Sequence, residues 1–173
     1  MKEKKIKYMS QIKRMCDFLF HANVIKTIIF NFRMLPKEQA IRLPIWLYGR
    51  VDIGECTGGG KIIFPSQKKP HFGGWKIGCS DRLGNHYYHP VISFICIKGT
   101  LLLGDRGCIK NGFDIAVLPN ACLSLGSNLL IGANTKIYCQ YKIQINDRVR
   151  ISWECQIFDT NFHYYIENNN VIK

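Results

Sequence analysis

The sequence predicts a mainly β fold in which short strands joined by tight corners wind into a prism behind an N-terminal helical segment. Three observations predict it. Aliphatic residues recur every six positions at Ile97, Leu103, Ile109, Ile115 and Ala121, again at Leu125, Ile131, Ile137 and Ile143, and in a third register at Ile145, Ile151 and Ile157. A period of six is neither the 3.6 of a helix nor the 2 of one long strand, but it suits strands in which each sixth residue points into a shared interior. The texture also changes at Pro44, from helical spacing to β-like runs punctuated by glycine: "LPIWLYGRVDIGE", "GGGKIIF" and "GGWKIGCS". Finally, a glycine or asparagine often follows the aliphatic residue, as at Gly54, Gly78, Gly104, Gly126, Gly132 and Asn146. These residues are expected to relieve backbone strain at corners through positive φ. An antiparallel sandwich also yields scattered Ile-Gly pairs, but it has no reason to hold one register over so many steps. The two slips of register imply a bulge or a looped coil near residues 121 to 125 and 143 to 145.

Taken in order, residues 1 to 35 read as a basic helical segment. Ile6, Met9, Ile12 and Met15, then Cys16, Leu19 and Phe20, fall at helical intervals, and Pro36 closes the pattern. The apolar stripe is expected to pack on the rest of the domain or on a membrane surface. Residues 36 to 173 form the β domain. Its first coils are irregular to about residue 93, because "SQKKPHFGGW" and "SDRLGNHYYHP" interrupt them, and regular repeats occupy 94 to 160.

A chain of 173 residues that is 47% hydrophobic buries one sizeable core, which excludes a disordered chain. The net charge is +12, and the N-terminus "MKEKKIKYMSQIKR" sets Lys2, Lys4, Lys5, Lys7, Lys13 and Arg14 against Glu3. Clustered cations of this kind favour anionic headgroups, nucleic acid or phosphorylated ligands, and the plain alternative is a solvated helix end. The repeats add nothing obvious to a membrane-surface or nucleic-acid role, so an adaptor working through this arm ranks last; peripheral membrane contact is kept as a partner and nucleic acid is not expected. Gln11, Lys13, Arg14 and Asp17 interrupt the run after the basic residues, and Lys26, Asn31 and Arg33 interrupt "VIKTIIFNFRML", so neither a signal peptide nor a membrane span is expected. The eight cysteines are scattered without a Cys-x-x-Cys pair, which predicts reduced core thiols in the cytoplasm.

From about Thr27 to Tyr165 the chain resembles the hexapeptide-repeat acyltransferases, specifically bacterial sugar and polysaccharide O-acetyltransferases. The likeness rests on the repeats, on "IIFNFRMLP…AIRLPIWLYGRVDI" as an N-terminal lead-in, and on "INDRVRISWECQIFDTNFHYY" as the segment reaching a catalytic histidine. It implies a left-handed parallel β-helix, a homotrimer, and transfer of acetyl from acetyl-CoA to a sugar or polysaccharide acceptor without a metal. His163 then matches the general base, an imidazole whose pKa near neutrality lets it take and return a proton. Asp159 and Asn161 are close enough in sequence to orient that ring or touch the acceptor. Asn134 falls where relatives line the acceptor pocket, and Trp153 suits stacking on a sugar face; for both, a corner or surface residue is the alternative. The coenzyme contacts stay unassigned. Relatives continue through further coils after this histidine, whereas "IENNNVIK" follows here. The alternative is therefore a truncated, non-catalytic β-helix remnant with a binding or assembly role.

Two weaker motifs carry no function. His86 and His89 form an HxxH without a third or fourth ligand, which reads as a surface loop. "GECTGGGKI" lacks the spacing of a phosphate loop, with Glu55 five residues before Gly60 and Ile62 after the lysine, and reads as a turn between strands.

Overall fold

The computed structural model describes residues 22–54, 56, 59–65, 69–80 and 92–161, with the backbone of 165–167 and 170–172. Helix α1 (Val24–Met34) opens it. Asn23 stands at its N-cap, where the side-chain oxygen accepts the Lys26 N–H at 3.0 Å and satisfies one of the amides a helix start leaves unpaired. Pro36 ends this helical pattern as expected and then occupies the N-cap of a second, four-residue helix, α2 (Lys37–Ala40). The earlier part of the expected helical segment, residues 1–21, lies outside the described residues.

Among the described residues fourteen short strands follow in a repeating order. The first sheet holds β1 (Ile45–Leu47), β4 (Trp75–Cys79), β7 (Gly107–Lys110), β10 (Leu129–Ile131) and β13 (Arg150–Ile151). The second holds β2 (Val51–Asp52), β5 (Ser93–Ile97), β8 (Asp114–Val117), β11 (Lys136–Cys139) and β14 (Gln156–Phe158). The third holds β3 (Lys61–Ile63), β6 (Thr100–Leu103), β9 (Cys122–Leu125) and β12 (Lys142–Ile145). The chain visits the three sheets in the same cyclic order each time, and every neighbouring pair within them is parallel. This is a parallel β-helix-like fold, and it excludes the antiparallel sandwich. A separate antiparallel pair, β15 (Tyr165–Glu167) with β16 (Asn170–Ile172), comes last.

Because successive side chains on a strand point to opposite faces, alternate residues of all three sheets enter one interior. They stack in columns set by the strand register: Ile109, Ile131 and Ile151; Ile115, Ile137 and Ile157; Leu101, Leu123 and Ile143. Trp75 and Phe113 are the largest ring systems wholly buried among them, with Phe30 of α1. Gly107, stacked on Trp75, leaves room for the indole, since a Cβ there would lie 2.4 Å from the ring. Trp75 Nε1 donates to the Gly104 carbonyl at 2.9 Å, so its one polar group is satisfied. Of the described cysteines only Cys56 and Cys139 belong to this core; Cys79, Cys96, Cys108, Cys122 and Cys155 are half-buried. The expectation of core thiols therefore holds for two of them.

Two sequence expectations need correction. Of the two forms expected for the register slips, the looped coil holds and the bulge does not, and the loops precede β9 and β12 rather than lying at 121 to 125 and 143 to 145. They arise at one corner, between the second and third sheets, where Lys98-Gly99, Leu118 to Ala121 and Gln140-Tyr141 are added between strands. Ala121 is a buried corner residue that falls on the six-residue register by coincidence. Paired residues are consequently 20 or 22 apart, as for Ile131 with Ile151 and Ile109 with Ile131. In the first coils the separation is larger and irregular: 30 for Ile45 with Trp75, 32 for Ile77 with Ile109, 39 for Ile62 with Leu101 and 42 for Val51 with Ser93. The second correction concerns glycine. Gly104, Gly126 and Gly132 are not in the left-handed region; a Cβ on any of them would lie 2.4 to 2.6 Å from the backbone of the next coil. They permit close stacking. Of the positions expected to take positive φ, Gly78 does so, at 86°; in the regular coils positive φ occurs instead at Gly112, Asn134 and Glu154, which are stacked at the corner between the first and second sheets, and at Asn120, Asn128 and Arg148.

Candidate functional site

The candidate residues fall at two corners of the last coils, on either side of the second sheet. Asn134 and Trp153 share the corner between the first and second sheets. Asn134 adopts φ 56° there, which asparagine tolerates better than most residues. Its N–H donates to the Asn111 carbonyl at 3.0 Å. Its side-chain oxygen lies over Gly112, close enough that a Cβ at Gly112 would approach it to 2.0 Å. One coil later, Trp153 is 68% exposed, and the adjoining Glu154 N–H donates to the Ala133 carbonyl at 2.8 Å. Both residues stand out in the sequence, and only the coil length places them at one corner.

Asp159 and Asn161 lie across the sheet, beyond β14. Asp159 is engaged by the backbone. Its Oδ1 accepts the Gln140 N–H at 2.6 Å, and its Oδ2 accepts the N–H groups of Tyr141 at 2.8 Å and Lys142 at 2.7 Å. At the equivalent corner one coil earlier, the Leu118 and Cys122 N–H groups donate to the Cys139 and Tyr141 carbonyls. The Asp159 carboxylate thus stands where the backbone of a following strand would stand. Each carboxylate oxygen accepts about two hydrogen bonds, so contact with a ligand is left at most one acceptor position. Burial alone would raise its pKa; the hydrogen bonds from Gln140, Tyr141 and Lys142 outweigh that and hold it below the ordinary value. Cys139 Sγ is 3.7 Å from Asp159 Oδ2. Burial first, and the Asp159 charge next, push this thiol up to about 11, so it is not a thiolate nucleophile at neutral pH.

Between the corners runs the outer face of the second sheet. Register aligns Ala116, Tyr138 and Phe158 in one outward column. The Tyr138 and Phe158 rings meet edge to face, with centroids 5.2 Å apart. Tyr138 OH donates to Asp114 Oδ2 at 2.5 Å, and this bond, followed by burial, raises the phenol to about 12. Tyr138, Phe158 and Asp114 were missed in the sequence reading. Their signal is the alternation within "KIYC" and "QIF", which turns Tyr138 and Phe158 outward beside inward Ile137 and Ile157.

His163 lies outside the described residues, as do His86 and His89. The "GECTGGGKI" segment follows β2 and ends within β3, and Glu55, Thr57 and Gly58 in it lie outside the described residues. Among the described residues no group of three or more His, Cys, Asp or Glu is placed to hold a metal ion, and no helix is long and apolar enough to cross a membrane. The strip of surface from Trp153 across Phe158 to Asp159 and Asn161 is thus what the chain builds immediately before residue 163. No protein-family model, no curated protein and no solved structure matches the chain.

Proposed function

We propose that the protein is an acetyl-CoA-dependent O-acetyltransferase acting on a sugar or polysaccharide acceptor in the cytoplasm, as a homotrimer, with a left-handed coil like that of the hexapeptide-repeat acyltransferases it resembles. The observation that carries this reading is the cyclic passage of the chain through three parallel sheets with six-residue steps on two of three corners. That architecture brings an exposed indole and an aromatic column to the surface preceding His163. His163 is the base: one ring nitrogen accepts the acceptor hydroxyl proton as that oxygen attacks the thioester carbonyl. The tetrahedral intermediate then expels the coenzyme A sulfur, which takes the proton from the imidazolium. An acetyl ester and free thiol result, and the base is restored. Trp153 covers an apolar sugar face and Asn134 lines the acceptor side. Asn161 orients the imidazole or the acceptor. The role proposed for Asp159 is indirect, since its carboxylate holds the corner from which Thr160 and Asn161 depart.

His163→Ala tests the reading. With acetyl-CoA and a panel of sugar acceptors, thiol release is expected to fall by about 10²- to 10⁴-fold, with thermal unfolding unchanged. Equal rates in the two proteins would remove His163 as the base. Absence of turnover and of coenzyme A binding in the wild-type protein would favour the non-catalytic alternative.

A further inference from the structure

Helix α1 is apolar on two opposite sides. One side, with Phe30 and Met34, closes the first coil. The other presents Val24, Ile25, Ile28, Ile29 and Phe32 to solvent, with Ile25 72% exposed, and Ile41 beyond α2 is 74% exposed. The spacing i, i+1, i+4, i+5, i+8 places the first five on one continuous face. These six are nearly half of the thirteen large apolar side chains exposed among the described residues, so this end of the molecule carries its main apolar surface. A cavity of about 450 Å³, lined by Ala22, Asn23, Val24, Ile25 and Gly49, adjoins the same face.

Charge indicates what covers it. Residues 1 to 42 hold ten of the chain's 24 Lys and Arg but three of its 12 Asp and Glu. Arg33, Lys37 and Arg42 are exposed along the segment that carries the patch. Two copies docked through this face would bring two strongly basic segments together, which like-charge repulsion opposes. Nucleic acid would meet the charge, but aliphatic side chains offer its bases and phosphates nothing. An anionic lipid surface satisfies both features at once: headgroups take the cations while Ile25, Ile29 and Phe32 enter the acyl boundary. We infer that the α1 end of the coil is a membrane-docking surface selective for anionic bilayers. The inference does not depend on acetyl transfer.

The test is co-sedimentation of the full chain with vesicles of phosphatidylcholine alone or mixed with phosphatidylglycerol. Binding is expected to be about tenfold or more tighter on the anionic vesicles and to weaken steeply with salt. Ile25→Glu with Ile29→Glu is expected to abolish it, with the far-ultraviolet spectrum unchanged. Ile28→Trp supplies a second readout: brominated lipid should quench its fluorescence beyond the quenching of the three native tryptophans. The inference is overturned if the wild-type protein leaves the vesicles unbound or binds neutral vesicles equally well. It is also overturned if the double variant still binds, if Ile28→Trp gains no quenching, or if the double substitution instead dissociates a protein oligomer that ignores lipid.

Discussion

At the first coil, β1 pairs with β4 on one side and meets α1 on the other; at the last coils, the edge beside β12 meets a single carboxylate. Asn31, wholly buried on α1, treats Ile45 as a neighbouring strand would. Its Nδ2 donates to the Ile45 carbonyl at 2.6 Å and to the Thr27 carbonyl at 2.7 Å, while its Oδ1 accepts the Ile45 N–H at 3.2 Å. Thr27 Oγ1 accepts the Leu47 N–H at 3.0 Å, and Lys26 Nζ donates to the Val51 carbonyl at 2.7 Å. Asp159 at the other end offers acceptors only, and what it meets is three N–H groups. The lesson is that the capping group copies the polarity of the edge. An edge with both donor and acceptor free takes a carboxamide, and a corner with donors alone takes a carboxylate. Packing follows the same gradient. Ile45 and Leu47 are fully buried under α1, whereas Ile143 and Ile145 retain 9% and 8% exposure and Ile151 and Ile157 are half-buried.

The largest break in this comparison is expected from Asn31→Ala, which strands a buried N–H and a buried C=O of Ile45. A loss of about 2 to 4 kcal/mol is expected, read as a lower urea midpoint at unchanged slope. An unchanged midpoint would show that the β1 edge needs no side-chain partner. Asp159→Ala comes next, at about 1 to 2 kcal/mol, because its three amides are nearer to water. Its pH dependence has a definite sign. The folded carboxyl has a lowered pKa, so its stabilisation is full above the unfolded value of about 3.9 and is lost as pH falls through the folded value. The stability gap between wild type and Asp159→Asn should therefore narrow on acidification; a gap constant from neutral pH to acid would contradict the charged cap. The smallest effect distinguishes the packing of the two ends. Ile131→Val is expected to cost about 1 kcal/mol and Ile151→Val about half that. Equal losses would mean that the core does not taper. Amide exchange should likewise be faster along β13 and β14 than along β7 and β8.

Much of this was visible in the sequence. The β region starts at Pro44 where the texture of the chain changes, and the inward columns at Ile109, Ile131 and Ile137 and the regular coils after residue 93 appear where the six-residue spacing puts them. Less legible was the corner between the second and third sheets: the slips of register show that residues are added, but not which ones stand outside the strands. The use of Gly104, Gly126 and Gly132 was also misread. A glycine needed for positive φ and one needed for close backbone approach look alike in a sequence, and only the neighbouring coil distinguishes them. In the sequence Asn31 reads only as a polar interruption of "VIKTIIFNFRML". Its one hint was the i, i+4 spacing from Thr27, which sets both polar groups on the face of Phe30 and Met34.

The sequence by itself determined which side chains point inward and outward, because that alternation is a local property of extended backbone. Tertiary structure alone decided what each residue meets. Asn31 acts on Ile45 fourteen positions away, and Asp159 on Gln140 nineteen positions away. The outer stripe of α1 is exposed because the coil needs only one face of that helix to close its end. Contacts of this range depend on coil length and stacking, and neither is encoded in any short stretch of chain.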